Sequence, residues 1–115
     1  MVDNMTIVAA GSVVFAAGVP SWLWQNGGFS NTITDTGAGN IGLNLPTDGG
    51  VDASESVILA TPRTMLAASG LQSCGVVHTS DTVKQVTLLQ EGAAGAASAL
   101  TDFNFDVLVA RKDVV

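Results

Sequence analysis

The segment from Leu100 to Arg111 reads L-T-D-F-N-F-D-V-L-V-A-R, with Phe103, Phe105, Val107 and Val109 on alternate positions and Asp102, Asn104 and Asp106 between them. A strand turns successive side chains to opposite faces, so this spacing makes one face apolar and the other acidic. It predicts a single half-buried antiparallel strand over 100–111. A domain whose last element is a strand of this central character is expected to be all-β.

The rest of the chain divides into similar pieces. Thr6 to Ala17 (T-I-V-A-A-G-S-V-V-F-A-A) is apolar on both faces, as suits a strand covered on both sides, by a second sheet and by a neighbouring subunit. Gly11 within it marks a bulge or a close backbone approach. Gly18-Val19-Pro20-Ser21 and Asn26-Gly27-Gly28 are turn signals. Between them Trp22 and Trp24, two apart, are expected on one face of an extended segment. Phe29 to Asp35 and Ile41 to Leu45, joined by T-G-A-G-N, form an expected hairpin. Residues 46–52 are a loop, Glu55 to Thr61 a strand ended by Pro62, and 64–69 is ambiguous between a helical turn and a loop. Leu71 to Thr79 and Thr82 to Gln90 are strands about a Ser80-Asp81 turn, and Glu91 to Ala99 is a small-residue loop. The sum is about eight antiparallel strands with turn signals every 8–12 residues, an all-β sandwich or jelly roll. The expected organisation is a short N-terminal arm, 1–5, and a single domain, 6–112.

Composition adds a constraint on the surface. Hydrophobic residues make up 47% of the 115 and charged residues 12%, about half the usual ~25%. Mean hydropathy is +0.42. A monomer of this mass exposes roughly 5,800 Å², and so few charges cover that area poorly. Either a membrane or other subunits are expected to cover part of it. The uncharged stretch between Asp3 and Asp35 contains the apolar run Met5 to Leu23. It lacks the basic n-region of a signal peptide, with Asp3 standing where Lys or Arg belongs. Gly11, Gly18, Pro20 and the density of Val and Ile argue against a membrane helix. Two successive β-segments explain the same residues, so burial between subunits is the expectation and no membrane partner is expected. The net charge of −6, with Arg63, Lys84, Arg111 and Lys112 scattered, gives no basic patch and argues against nucleic acid.

The order of the pieces carries a resemblance. A-A-G-S-V-V, then S-W-L-W-Q-N-G-G-F-S, then T-G-A-G-N-I-G-L-N-L, a strand running into T-P (Ser56 to Pro62), G-V-V-H-T, and a closing D-F-N-F-D-V-L-V together resemble the small jelly-roll modules of tailed-phage structural proteins. Those modules sit at tail-fibre tips or decorate heads and are similar to the trimeric tumour-necrosis-factor-like fold. The resemblance spans roughly residues 6–111. It departs from the family where a Tyr is often found in the Gly-x-Tyr strand: Ile41 or Leu43 stands there. It implies a homotrimer. The chain carries only five residues before its first strand and no shaft repeat, so it looks more like a head decoration or cement protein than a fibre tip. Such a protein would lie on the outer surface of the virion's capsid, with the major capsid protein as partner. The alternative is a tail-fibre tip or adhesive module that recognises glycan through loops 46–54 and 91–99.

Catalytic equipment is not expected. His78 is the only histidine, and the nearest carboxylate in sequence, Asp81, lies across a turn. A general base needs its partner within hydrogen-bond reach. Cys74 and His78 share a strand face but stand ~13 Å apart at strand rise. Cys74 is the only cysteine, so a disulfide framework and a Cys-rich zinc site are excluded. Asp48, Asp52 and Glu55 flank Gly49-Gly50 without the spacing of an EF-hand, and a solvated acidic loop is expected rather than a Ca²⁺ site. No catalytic, metal or cofactor residue is therefore assigned. Trp22 and Trp24 have three readings, packing in the core, anchoring a neighbouring protein and stacking on a sugar; as interface candidates they stand with Val8, Val13 and Phe15 of the first strand.

Overall fold

The computed structural model describes residues 4–45, 56–63, 72–80, 83–90 and 99–112. The acidic loop candidates Asp48, Asp52 and Glu55, the ambiguous segment 64–69, Asp81 and most of the 91–99 stretch lie outside the described residues. Among the described residues nine strands follow in order: β1 (Met5–Ala16), β2 (Val19–Gln25), β3 (Ile33–Gly37), β4 (Asn40–Asn44), β5 (Ser56–Pro62), β6 (Gln72–His78), β7 (Val83–Gln90), the two-residue β8 (Ala99–Leu100) and β9 (Phe105–Lys112). They form two sheets in which every pairing is antiparallel. The first runs β2-β1-β9-β5 and the second β3-β4-β7-β6, with β8 alongside β7.

The two sheets face each other through the apolar positions of their strands. Ala9, Val13, Ile58, Phe105, Val107 and Val109 come from the first sheet, and Ile41, Leu43, Val86 and Leu88 from the second. Phe29, Leu45 and Phe103 close the ends from the connecting segments. Burying such side chains contributes about 1.5–3 kcal/mol each. The alternation of Phe105, Val107 and Val109 holds as expected, and β9 is central, flanked by β1 and β5.

The expected single strand over 100–111 is broken. β8 ends at Leu100, residues 101–104 are irregular, and β9 starts at Phe105. The two polar side chains that were to line an acidic strand face instead fix the corner. Asp102 Oδ1 accepts the Gly39 N–H at 2.8 Å, and Asn104 Oδ1 accepts the Phe15 N–H at 2.9 Å. Short polar side chains compete with the sheet ladder for backbone donors in this way. Phe103 remains buried, as the core end-plug rather than as a strand residue.

The β7 row Lys84, Val86, Leu88 points into the sandwich, and Lys84 is fully buried with the others. Its Nζ donates to the Ser80 carbonyl at 2.9 Å, which ties the amine to the turn between β6 and β7. A buried ammonium requires such partners. Lys84 is therefore removed from the surface charge, and the exposed bases are Arg63, Arg111 and Lys112.

β1 and β2 join through Ala17-Gly18, whose φ values of 50° and 79° both lie in the left-handed region. Two left-handed residues make the turn whose twist matches a two-residue hairpin. Alanine in this conformation costs roughly 1–2 kcal/mol. Gly28 meets the opposite constraint: a Cβ there would stand 2.0 Å from the Val8 carbonyl oxygen. Ala17→Asn is accordingly expected to raise stability by about 1 kcal/mol and Gly28→Ala to lower it by about 2 kcal/mol or more. Urea unfolding of both variants checks the two signs together.

Candidate functional site

The antiparallel registers bring residues from four strands into cross-strand rows on the outer face of the first sheet. One row is Ile7, Ala110 and Val57; the next is Ala10, Leu108 and Leu59; the next is Trp24, Ser12, Asp106 and Thr61. Met5 pairs with Lys112 beyond the first of them. Met5, Ile7, Trp24, Val57 and Leu59 are all exposed, between 43% and 57%. The outer face of the second sheet differs. Asn40, Gly42 and Asn44 on β4, Gln85 and Thr87 on β7, Ser73 and Gly75 on β6 and Thr34 on β3 alternate with the buried residues of their strands, and Val77 is its most exposed apolar member. Val83 and Leu89 of β7 and the exposed Leu100 of β8 share that outward parity, so the first outer face is the richer in exposed apolar side chains and the second mixes apolar with polar uncharged ones.

A groove of about 460 Å³ crosses the apolar face at the Trp24–Thr61 row. Ala10, Ser12, Asp106 and Leu108 make its floor, Trp24 stands on the β2 side, and Leu59, Thr61 and Arg63 on the β5 side. Ser12 is 1% exposed and donates its hydroxyl to Asp106 Oδ1 in a short hydrogen bond. Arg63 Nη1 lies 3.8 Å from the same oxygen. An exposed pair at that distance stabilises by at most ~1 kcal/mol.

The two tryptophans do not share a face. The register shifts between Ser12, paired with Trp24, and Val13, paired with Trp22, so Leu23 is an extra residue and the alternation is lost there. A bulge of this kind re-aims the side chains that follow it. Trp22 turns inward. Its ring stacks on Phe29 with centroids 4.9 Å apart and planes 21° apart, and its indole N–H donates to the Ser30 carbonyl at 3.1 Å. It also lies over Gly11, where a Cβ would come within 2.6 Å of the indole; Gly11 is thus a close approach. Trp24 turns outward into the groove. Of the other interface candidates, Val13 is fully buried in this chain's own core and presents no surface to a partner, while Val8 and Phe15 are partly buried against that core.

Sequence reading missed Ser12, Leu59, Thr61, Arg63 and Asp106 as neighbours of Trp24. They lie on three other strands or, for Arg63, directly after one, and only the pairing registers bring them together.

Elsewhere, His78 is half-buried at the end of β6, opposite Lys84. Cys74, on the same strand, is half-buried against the core, and burial pushes its thiol from 9.0 up to about 11. Among the described residues no three His, Cys, Asp or Glu side chains gather as metal ligands, and no helix is long and apolar enough to cross a membrane. No family model, curated protein or solved structure matches this chain.

Desolvation penalises the Cys74 thiolate, which is the reactive form. A rise of two pKa units leaves about a hundredfold less thiolate at pH 8 than in the unfolded chain. Native protein is therefore expected to react with a thiol reagent at pH 8 about a hundred times more slowly than protein in denaturant, and its rate is expected to climb about tenfold per pH unit above that.

Proposed function

We propose that this chain is a structural protein of a tailed-phage virion, a head decoration or cement protein without catalytic activity. It assembles as a homotrimer of jelly rolls and docks on the outer surface of the shell, with the major capsid protein as its partner. Many such contacts across capsomer boundaries would stabilise the shell by mass action and multivalency. The virion setting rests on the resemblance in the order of strands and motifs. The assembly part rests on the adjoining exposed apolar side chains of the first sheet's outer face, Met5, Ile7, Val57 and Leu59.

The row of Ile7, Ala110 and Val57, extended by Met5, supports that reading. Exposed apolar side chains scattered singly are ordinary, but a contiguous set on one sheet face marks a surface that another protein covers. The strand order is also consistent with a jelly roll. β1 pairs with β9 and β4 with β7, and β5 and β6 extend these two pairs in opposite sheets. The chain thus changes sheet between β2 and β3, between β4 and β5, between β5 and β6 and between β8 and β9, as in a folded-over Greek key. Ring closure about an axis requires two different patches to meet.

Light scattering on a sizing column tests the assembly. The wild type is expected at three times 11.6 kDa. The double variant Ile7→Asp, Val57→Asp is expected as a folded monomer, since both side chains are exposed in the isolated chain and charges buried in an interface cost several kcal/mol. A wild-type monomer would remove the reason for reading the apolar face as an interface.

A further inference from the structure

The groove on the first sheet differs from the apolar rows beside it, and we propose that it is a binding site for a neutral carbohydrate of one to two pyranose units. It lies next to the Met5, Ile7 and Val57 patch of the proposed assembly and does not depend on it.

The row Trp24, Ser12, Asp106, Thr61 crosses four adjacent strands. Three inter-strand steps of about 4.8 Å make it about 14 Å long, enough for two pyranose rings end to end. Its volume of about 460 Å³ lies in the range of small-molecule sites. A pyranose has an apolar C–H face and a rim of hydroxyls, so it needs an aromatic or aliphatic wall beside paired donors and acceptors. Trp24 supplies an exposed indole, with its N–H making no hydrogen bond among the described residues. Leu59, Leu108 and Ala10 supply aliphatic surface.

The polar half centres on Asp106, which the Ser12 hydroxyl holds. The nearly inaccessible Ser12 hydroxyl and the Arg63 guanidinium both address Oδ1 of Asp106, and Oδ2 accepts nothing among the described residues. Asp106, Arg63 and Thr61 line the groove, and between them they offer a carboxylate acceptor, guanidinium donors and a hydroxyl. A held side chain loses less entropy on binding than a mobile one.

The same groups select the ligand class. A wholly apolar ligand would strip water from Asp106 and Arg63 without replacing its hydrogen bonds, which is unfavourable. The two charges offset each other, so neither an anion nor a cation finds a net counter-charge. Nucleic acid would find one arginine in the groove of a chain of net charge −6. Sugar hydroxyls, which both donate and accept, satisfy both charges at once.

The test titrates the intact protein with methyl glycosides of glucose, galactose, mannose and N-acetylglucosamine, and with maltose, lactose and chitobiose. Binding is followed by Trp fluorescence and by amide shifts. At least one sugar is expected to shift the amides of Ala10, Ser12, Leu59, Thr61 and Asp106 together. Trp24→Ala and Asp106→Asn are each expected to weaken that sugar about tenfold or more, while Trp24→Phe, which keeps an aromatic wall, restores most of the affinity. Ile7→Asp with Val57→Asp is expected to leave sugar binding in place even where it changes the native mass, which separates this site from the assembly surface. No shift with any of the sugars at the limit of their solubility overturns the proposal. So do shifts confined to other residues, or binding that Trp24→Ala and Asp106→Asn both leave unchanged.

Discussion

Everything in this sandwich hangs on the antiparallel ladder between β1 and β9. It lays Ala9, Val13, Phe105, Val107 and Val109 along the inner face of the first sheet, where they meet Ile41, Leu43, Val86 and Leu88. The same ladder sets Ile7 opposite Ala110, Ala10 opposite Leu108 and Ser12 opposite Asp106 on the outer face. A strand has period two, so a one-residue slip would exchange the two sets. The core, the apolar rows and the groove are therefore one registration seen from two sides.

That registration also explains how so apolar a chain is arranged. Its hydrophobic residues exceed what one interior holds, and more of the exposed surplus lies on the first sheet, at Met5, Ile7, Trp24, Val57 and Leu59, than on the second, at Val76, Val77 and Leu100. The outer face of the second sheet sets Val77, Val83, Leu89 and Leu100 among Asn, Gln, Thr and Gly. The bases follow the same division. Lys84 is in the core, and Arg63, Arg111 and Lys112 lie on or directly after strands of the first sheet. A protein whose exposed apolar side chains and bases gather on one sheet is built for oriented contact rather than for free diffusion alone. The Ser12–Asp106–Arg63 cluster interrupts the apolar rows, and gives that face a second chemical character beside the first.

The two-layer all-β architecture was legible because alternation along a strand is local information. Phe105, Val107 and Val109, the Ile41–Leu45 strand and the Asn26-Gly27-Gly28 turn all read correctly from neighbours in sequence. What failed was set by partners far away. Trp22 and Trp24 were placed on one face by counting; the bulge against Ser12 and Val13 separates them, and a bulge is decided by two strands jointly. Asp102 and Asn104 continue the alternation of β9 on paper, but backbone donors at Gly39 and Phe15 draw them into a corner. Lys84 sits on the inner parity of β7, where its type argues for the outside, and the Ser80 carbonyl at the adjoining turn makes that burial tolerable. The groove was illegible for the same reason: Trp24, Ser12, Asp106 and Thr61 become one row only through three separate pairings.

The first-to-last pairing has a temporal side. Met5 meets Lys112 and Val13 meets Phe105, so β1 waits for almost the whole chain before its principal neighbour exists. On the ribosome the β1–β2 hairpin emerges early with one long unpaired edge, and β5 emerges without the strand it will lie beside. Loops that must close over such separations make folding slow, on the order of milliseconds to seconds. Unpaired apolar edges are templates for wrong partners during that wait. The bulge in β1, where Val8 is the extra residue between Ile7 and Ala9 on the edge that awaits β9, interrupts the regular repeat that a stray strand would need, and so guards the nascent chain as well as shaping the finished one.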